Sequence, residues 1–205
     1  MTDIPKIGRI TAEKFYSDFI KALNQKKQSC NLSDKWFSNT FWTNMILNNE
    51  YSILRQVASD NNLKFLAEKW RIDALLCNMD NESAVSNEQP LKEVAFTKKH
   101  DYLSNAEVAV EVENFFVTFM EDEIYKLSLI NCPLKVGITY IDRADEKFIE
   151  PAKRRVKTIL NQRFSFYPEQ PANEYLIIIV RGPENIECLK WIYRYTMGKY
   201  YEISS

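Results

Sequence analysis

Ala109-Val110-Glu111-Val112-Glu113-Asn114, read together with the earlier Trp70-Arg71-Ile72-Asp73-Ala74-Leu75-Leu76, decides how this chain folds. Both stretches read as short apolar strands. In an extended strand side chains alternate between faces, so Val108, Val110 and Val112 point one way. Glu107, Ala109, Glu111 and Glu113 point the other way. In the earlier stretch Trp70, Ile72, Ala74 and Leu76 share one face, and Arg71, Asp73 and Leu75 the opposite one. If the two strands pair, Asp73 meets Glu111 and Glu113 across the sheet. Carboxylates gathered this way repel one another unless a cation sits between them, which is the beginning of a hard-metal site.

Working outward from these strands, the periodicity switches between helical and alternating. Thr11 opens a helical stretch with Phe15, Phe19, Ile20 and Leu23 on one stripe. Ser33 is the expected cap of an aromatic segment carrying Trp36, Phe37, Phe41, Trp42 and Met45. A third amphipathic piece holds Tyr51, Ile53, Leu54 and Val57 and ends at Asp60-Asn61-Asn62. Phe65 to Cys77 reads as one or two strands. The polar run from Asn78 to Asn105 reads as a loop with one short strand near Val94 to Thr97. Phe115 to Leu129 reads as a helix with Phe116, Phe119, Ile124 and Leu127 inward. Pro133 stops that helix, and Leu134 to Ile141 alternates as a strand. A basic helix follows at Ala152 to Phe164, then strands at Tyr175 to Val180 and Leu189 to Tyr195. This order predicts a mixed α/β layer architecture in a single domain, 1–205. N-terminal helices would occupy 1–64, a central core 65–141, and the basic helix with C-terminal strands 142–205.

Composition narrows the function. The 205 residues are 45% hydrophobic and carry a net charge of −1, which suits a folded protein with no global positive field. Nucleic-acid binding therefore has to come from a local patch. There are four glycines, and none builds a phosphate-cradling loop; Gly182-Pro183 reads as a turn. Cys30, Cys77, Cys132 and Cys188 are scattered without a Cys-x-x-Cys pair, so reduced, mostly buried thiols are expected rather than a zinc site. The longest apolar run, Tyr175 to Val180, is too short to cross a bilayer. The first residues, Met1-Thr2-Asp3-Ile4-Pro5-Lys6, lack a signal pattern, so a cytoplasmic protein is expected.

The order helix, strand with Asp73, strand with Glu111-x-Glu113, helix, strand resembles the restriction-endonuclease-like superfamily, the PD-(D/E)xK nucleases. The resemblance spans about Tyr51 to Tyr140 and departs from the usual pattern by placing Glu113 where lysine is common. It implies a restriction-endonuclease-like mixed sheet flanked by helices, with an N-terminal helical extension and C-terminal strands. It also implies magnesium, with manganese as a substitute, held by Asp73 and Glu111. Glu113 would then orient or deprotonate the attacking water in phosphodiester hydrolysis of nucleic acid, DNA in the first place. The missing lysine calls for another cation: Lys135, on the polar parity of the next strand, is the first choice, and Lys126 on the intervening helix the second. Glu50 and Glu68 are further acids that nothing in the pattern selects.

The densest basic patch is Lys153-Arg154-Arg155-Val156-Lys157, where Lys153, Arg154 and Lys157 are close on one helical face and suited to a phosphate backbone. Lys98-Lys99-His100 is a second place where substrate could be touched, and Trp191 to Tyr195 a stacking surface. Two other readings stand beside the nuclease. One is an inactive restriction-like fold serving as a nucleic-acid-binding or protein-interaction module; the other is an unrelated α/β module with solvated acids. A homodimer through the aromatic N-terminal helices is also open.

Overall fold

The computed structural model describes residues 10–29, 38–48, 50–69, 72–78, 106–114, 116, 122–130, 132–141, 147–166, 174–182, 186–196 and 199–203. The elements in chain order are α1 (Ala12–Ser29), α2 (Asn39–Thr43) running into a π-helical turn (Asn44–Asn48), and α3 (Ile53–Asp60). Then come β1 (Leu63–Lys69), β2 (Ile72–Asn78), β3 (Ala106–Glu113), α4 (Ile124–Ser128) and β4 (Leu134–Ile141). The chain continues through α5 (Ile149–Phe166), β5 (Glu174–Arg181), β6 (Glu187–Thr196) and β7 (Lys199–Ile203). The protein is a mixed α/β fold built on one seven-stranded sheet whose strands lie side by side in chain order.

Local chemistry sets the helix ends. Thr11 Oγ1 accepts from the Lys14 N–H at the start of α1, with Glu13 in the first turn and Lys26 and Lys27 in the last, matching the helix dipole. Ser38 caps α2 by accepting from the Phe41 N–H; Ser33, the expected cap, lies outside the described residues. Asn62 closes the α3–β1 corner with φ 53°, a left-handed conformation that asparagine tolerates better than most side chains.

Strand directions position everything that follows. β3, β4 and β5 run parallel; β2 is reversed between β1 and β3, and β6 between β5 and β7. The two parallel steps each need a crossover, supplied by α4 and α5. One face of the sheet packs Ala74, Leu76, Val108, Val110, Val136 and Ile178 against α1, the α2 segment and α3. The other packs Leu75, Ala109, Ile177 and Tyr193 under Ile124 and Leu127 of α4 and Val156 and Leu160 of α5. The result is three layers, helix on sheet on helix, with the parallel centre buried on both sides. Within β5, Glu174 to Val180 are all buried.

The alternation expected of β3 holds, with Val108 and Val110 in one cluster and Ala109 in the other. Ile72 departs from the expected parity: at the entry to β2 it packs with the α4–α5 cluster rather than with Ala74 and Leu76. Phe65 to Cys77 resolves into two strands, and β7 adds a strand beyond the expected end of the sheet. Cys77, Cys132 and Cys188 are free thiols, pushed up to about 11, 11 and 12 by burial. Cys30, Trp70, Phe119 and the Asn78–Asn105 segment beyond Asn78 lie outside the described residues, as does Phe115. Among the described residues no helix is long and apolar enough to cross a membrane.

Candidate active site

The reversed β2 brings its first residues to the carboxyl end of β3. Pairing runs from Cys77↔Ala106 to Ala74↔Val110, and carrying that register one residue on sets Asp73 beside Glu111. Where the ladder stops, Asp73 replaces it: its Oδ2 accepts from the Val112 N–H at 2.7 Å. On the other side of β3 the register places Glu111 against Gly137 and Glu113 against Thr139 of β4. Glycine leaves space beside Glu111 that any larger side chain would fill. Asp73 and Glu113 remain half-buried, while Glu111 is fully buried.

A fourth carboxylate and a cation arrive from above. α4 crosses this face of the sheet with Ile124 and Leu127 inward, and its approach brings Glu123 and Lys126 over β3. Lys126 Nζ lies 3.4 Å from Glu111 Oε1 and 2.5 Å from Glu123 Oε2. Glu123 is itself buried. The helical pair Glu123–Lys126 was legible as a surface ion pair, but its contact with Glu111 was not. Glu123 is the member of the cluster that sequence reasoning missed.

The electrostatics follow from this crowding. Both Glu111 oxygens are buried, and no donor other than the Lys126 ammonium, 3.4 Å from Oε1, reaches them. Burial, and then the negative charges of Asp73 and Glu123, push Glu111 up to about 9, with Lys126 pulling the other way. Asp73 is raised as well, by burial foremost, against the Val112 N–H and a hydrogen bond with Glu111 that hold it down. Two carboxylates share a hydrogen bond only through a proton, so in the absence of a cation the proton resides on Glu111. Burial lowers the Lys126 ammonium, but the hydrogen bond to Glu123 and the charges of Glu111 and Glu123 outweigh it and leave the group raised. Two more buried polar atoms nearby lack a partner: Thr139 Oγ1, on the register partner of Glu113, and Asn114 Oδ1, the next residue on β3. Buried polar atoms are nearly always satisfied, so each exception calls for an explanation.

Lys135 is placed differently from the expectation. It is buried, and its Nζ lies 3.2 Å from the Tyr175 hydroxyl and 3.4 Å from the Ser128 carbonyl, with the ammonium 5.1 Å from the Tyr175 ring centre. Its register partners are Ala109 and Tyr175, one same-face step before Glu111 and Gly137. The ammonium that reaches Glu111 is Lys126. The physical reason is depth: Lys135 lies under α4, near its carboxyl end, where the buried Tyr175 hydroxyl competes for it.

The basic patch on α5 is real in part. Arg154 and Lys157 are exposed, whereas Lys153 pairs with Glu202 of β7 and lies over the Trp191 ring. At about 100° per residue, Lys153, Lys157 and Asn161 fall on one flank of α5. That flank is the β7 side, since Asn161 Oδ1 accepts from the Tyr200 N–H. Lys153 and Lys157 therefore face away from α4 and the acids. Tyr193 is buried and Trp191 nearly so, which places those rings in the core rather than on a stacking surface. Glu50 is exposed; the Glu68 side chain, Lys98, Lys99 and His100 lie outside the described residues.

Among the described residues, no group of three or more His, Cys, Asp or Glu side chains is arranged to hold a metal ion as it stands. Magnesium does not require such a cage, since it commonly takes one or two carboxylates and keeps several waters. The paired Asp73 and Glu111, with no donor on Glu111 but the Lys126 ammonium, fit that lesser demand. The fold and the site thus define an α/β protein with an acid cluster at the carboxyl end of its central parallel strands. No family model matches the chain, and no curated protein or solved structure was found to be similar to it.

Proposed function

We propose that the chain is a metal-dependent nuclease of the restriction-endonuclease-like kind, acting at the Asp73–Glu111–Glu113 end of β2 and β3. The observation that carries the reading is Glu111, a fully buried acid set between Asp73, Glu123 and the Lys126 ammonium. Such a carboxylate is costly to keep in a core unless it has work to do. The order of elements supports the same reading: α3, β1, the Asp73 strand, the Glu111-x-Glu113 strand, α4 and β4 follow one another along the chain. The place in the sheet supports it too, because ligands of open α/β sheets gather at the carboxyl ends of parallel strands.

Asp73 and Glu111 would hold the ion, and magnesium when bound supplies charge neutralisation at phosphorus and a more acidic water. Glu113, half-buried and one same-face step beyond Glu111, takes the proton of the attacking water. Lys126, between Glu111 and Glu123, supplies the fixed positive charge that position 113 lacks and stabilises the pentavalent phosphate. Thr139, opposite Glu113, offers its unpaired hydroxyl to the same end of the cleft.

A second reading is favoured by one observation. Lys126 already neutralises part of the Glu111 charge, as it would in an inactive fold kept for binding. Manganese separates the two. Crystals of the native chain soaked in manganese are expected to show an anomalous peak between Asp73 and Glu111, absent in Glu111→Gln, and the native chain to cut nucleic acid with magnesium. Acids that stay empty, with no cleavage of single- or double-stranded substrates, would move the protein to the binding module.

A further inference from the structure

Both helices on the second face begin at the acid end of the molecule. Because β3, β4 and β5 are parallel, α4 and α5 run back against the strands and start where the strands finish. Each start carries an exposed aromatic ring. Tyr125, 47% exposed, stands between the buried Ile124 and the Lys126 that reaches Glu111. Phe148, 43% exposed, precedes α5, with Lys147 Nζ 5.0 Å from its ring centre. One turn along α4 from Tyr125 is Leu129, 54% exposed. Of the five large hydrophobic side chains that are exposed among the described residues, three therefore sit on α4 or at the head of α5. The helices pack against each other, and the flank of α5 opposite Lys153 and Asn161 carries Arg155 and Ile159 toward α4. Arg155 is exposed and Ile159 half-buried.

Rings that alternate with cations suit a polymer with both flat faces and phosphates. A protein partner or an oily ligand would call for a continuous apolar patch instead. In a duplex the bases are stacked on one another and present only their edges, so isolated rings have no face to meet. An unpaired strand presents a π-face at every nucleotide, and positively charged side chains beside stacking rings are how such strands are held. The net charge of −1 leaves no long-range field, so short-range contacts of this kind must supply the affinity.

We propose that the outer surface where α4 and α5 pack together is a track for single-stranded nucleic acid, with bases stacked on Tyr125 and Phe148 and phosphates passing Lys147 and Arg155 toward Glu111. This deepens the nuclease reading and takes from it only the direction of travel, toward the acids.

The test reads binding with cleavage switched off. Fluorescence anisotropy in chelator compares a labelled oligothymidine of about 12 nucleotides, within the span of such sites, with a duplex of equal length. The full chain is expected to bind the single strand at least about tenfold more tightly. Tyr125→Ala and Phe148→Ala should each weaken it by about 5- to 150-fold, while Tyr125→Phe keeps it. Arg155→Gln should lower the salt dependence by about one counterion. Equal affinity for duplex, no binding of either probe, or alanine variants that bind like the native chain would each overturn the track. A change in oligomeric state in Tyr125→Ala, seen by light scattering, would assign the rings to a second copy and overturn it too. Failure of the nuclease reading looks different: the manganese peak is missing while oligothymidine binding and its Tyr125 dependence persist.

Discussion

Lys126 Nζ stands 3.4 Å from Glu111 Oε1, so a helix delivers to the acid pair the positive charge that its own strand lacks at position 113. The contact joins a side chain 37% exposed to one wholly buried, and it is the link between the solvent-facing surface and the interior of the sheet.

Replacing the two lysines should separate chemistry from packing. Lys126→Met is expected to cut turnover by about 100-fold or more, the usual cost of removing one stabilising donor from a reacting site. Its melting temperature should fall as well, because the buried Glu123 and Glu111 lose the ammonium that pairs with them. Lys135→Met should keep its cleavage rate. A buried charge exchanged for a side chain of similar volume often leaves stability unchanged or raised, so its melting temperature should not fall. Cleavage assays and thermal scans on the two purified variants check both halves. Loss of turnover in Lys135→Met alone would return the catalytic charge to β4.

Glu111 should tie the metal-free protein's stability to pH. Burial and its acidic neighbours push the carboxyl up to about 9 in the folded chain, from the ordinary glutamate value of 4.5. Between those values the folded state holds a proton that the unfolded state has released. The contribution is therefore complete below the unfolded value and is lost as pH rises toward about 9. Thermal scans in chelator from mildly acidic to mildly alkaline pH should show a falling melting temperature that Glu111→Gln flattens. Magnesium should reverse the trend, since it binds the deprotonated form. A native profile as flat as that of the variant would mean Glu111 is ionised throughout.

How far the sequence foretold this site follows from which contacts are local. The faces of β3 were legible because Val108, Val110 and Val112 alternate with Ala109, Glu111 and Glu113, and a strand's period is fixed by its geometry. The meeting of Asp73 with β3 was legible from the same parity. Lys126 was only the second choice for the missing cation, behind Lys135, because Glu123 and Lys126 at a spacing of three are satisfied by each other on any helix surface. Only the packing of Ile124 and Leu127 onto the sheet decides that they point at Glu111. Lys135 misled for the matching reason: parity gives its face, but not how deep it lies or that Tyr175 waits beside it. β7 was overlooked although Gly198 falls between two aromatic-rich runs, a hairpin signal, and Thr196 pairs with Lys199.

Asp73 should show two separable roles. Its Oδ2 holds the Val112 N–H at 2.7 Å where the ladder ends, a structural duty that asparagine's carbonyl oxygen can also perform. Asp73→Asn is therefore expected to fold with nearly native stability and to lose manganese binding. Asp73→Ala should lose manganese binding and in addition about 1–2 kcal/mol, because a donor inside the sheet is left without its acceptor. Urea melts of the two variants, set beside manganese titrations, check this. Equal stability of the asparagine and alanine forms would show that the Val112 bond carries no weight.

The far end of the sheet should respond in stability alone. Glu174, buried at the start of β5, accepts the Ala12 N–H at 2.7 Å with Oε2 and the Arg194 guanidinium with Oε1. One carboxylate thus caps α1, ties it to β5 and orders β6. Glu174→Ala leaves the Ala12 N–H without its acceptor and is expected to destabilise by about 1–3 kcal/mol. Glu174→Gln keeps an acceptor for Ala12 and should cost less, the more so because Arg194 is partly solvated and its charge screened. Strand polarity places this cluster at the amino end of β5, opposite the acids, so neither variant should alter manganese binding or the oligothymidine affinity. Urea denaturation gives the first quantity and titration the second; a shift in metal affinity would mean that α1 and the acid cluster are coupled through β5.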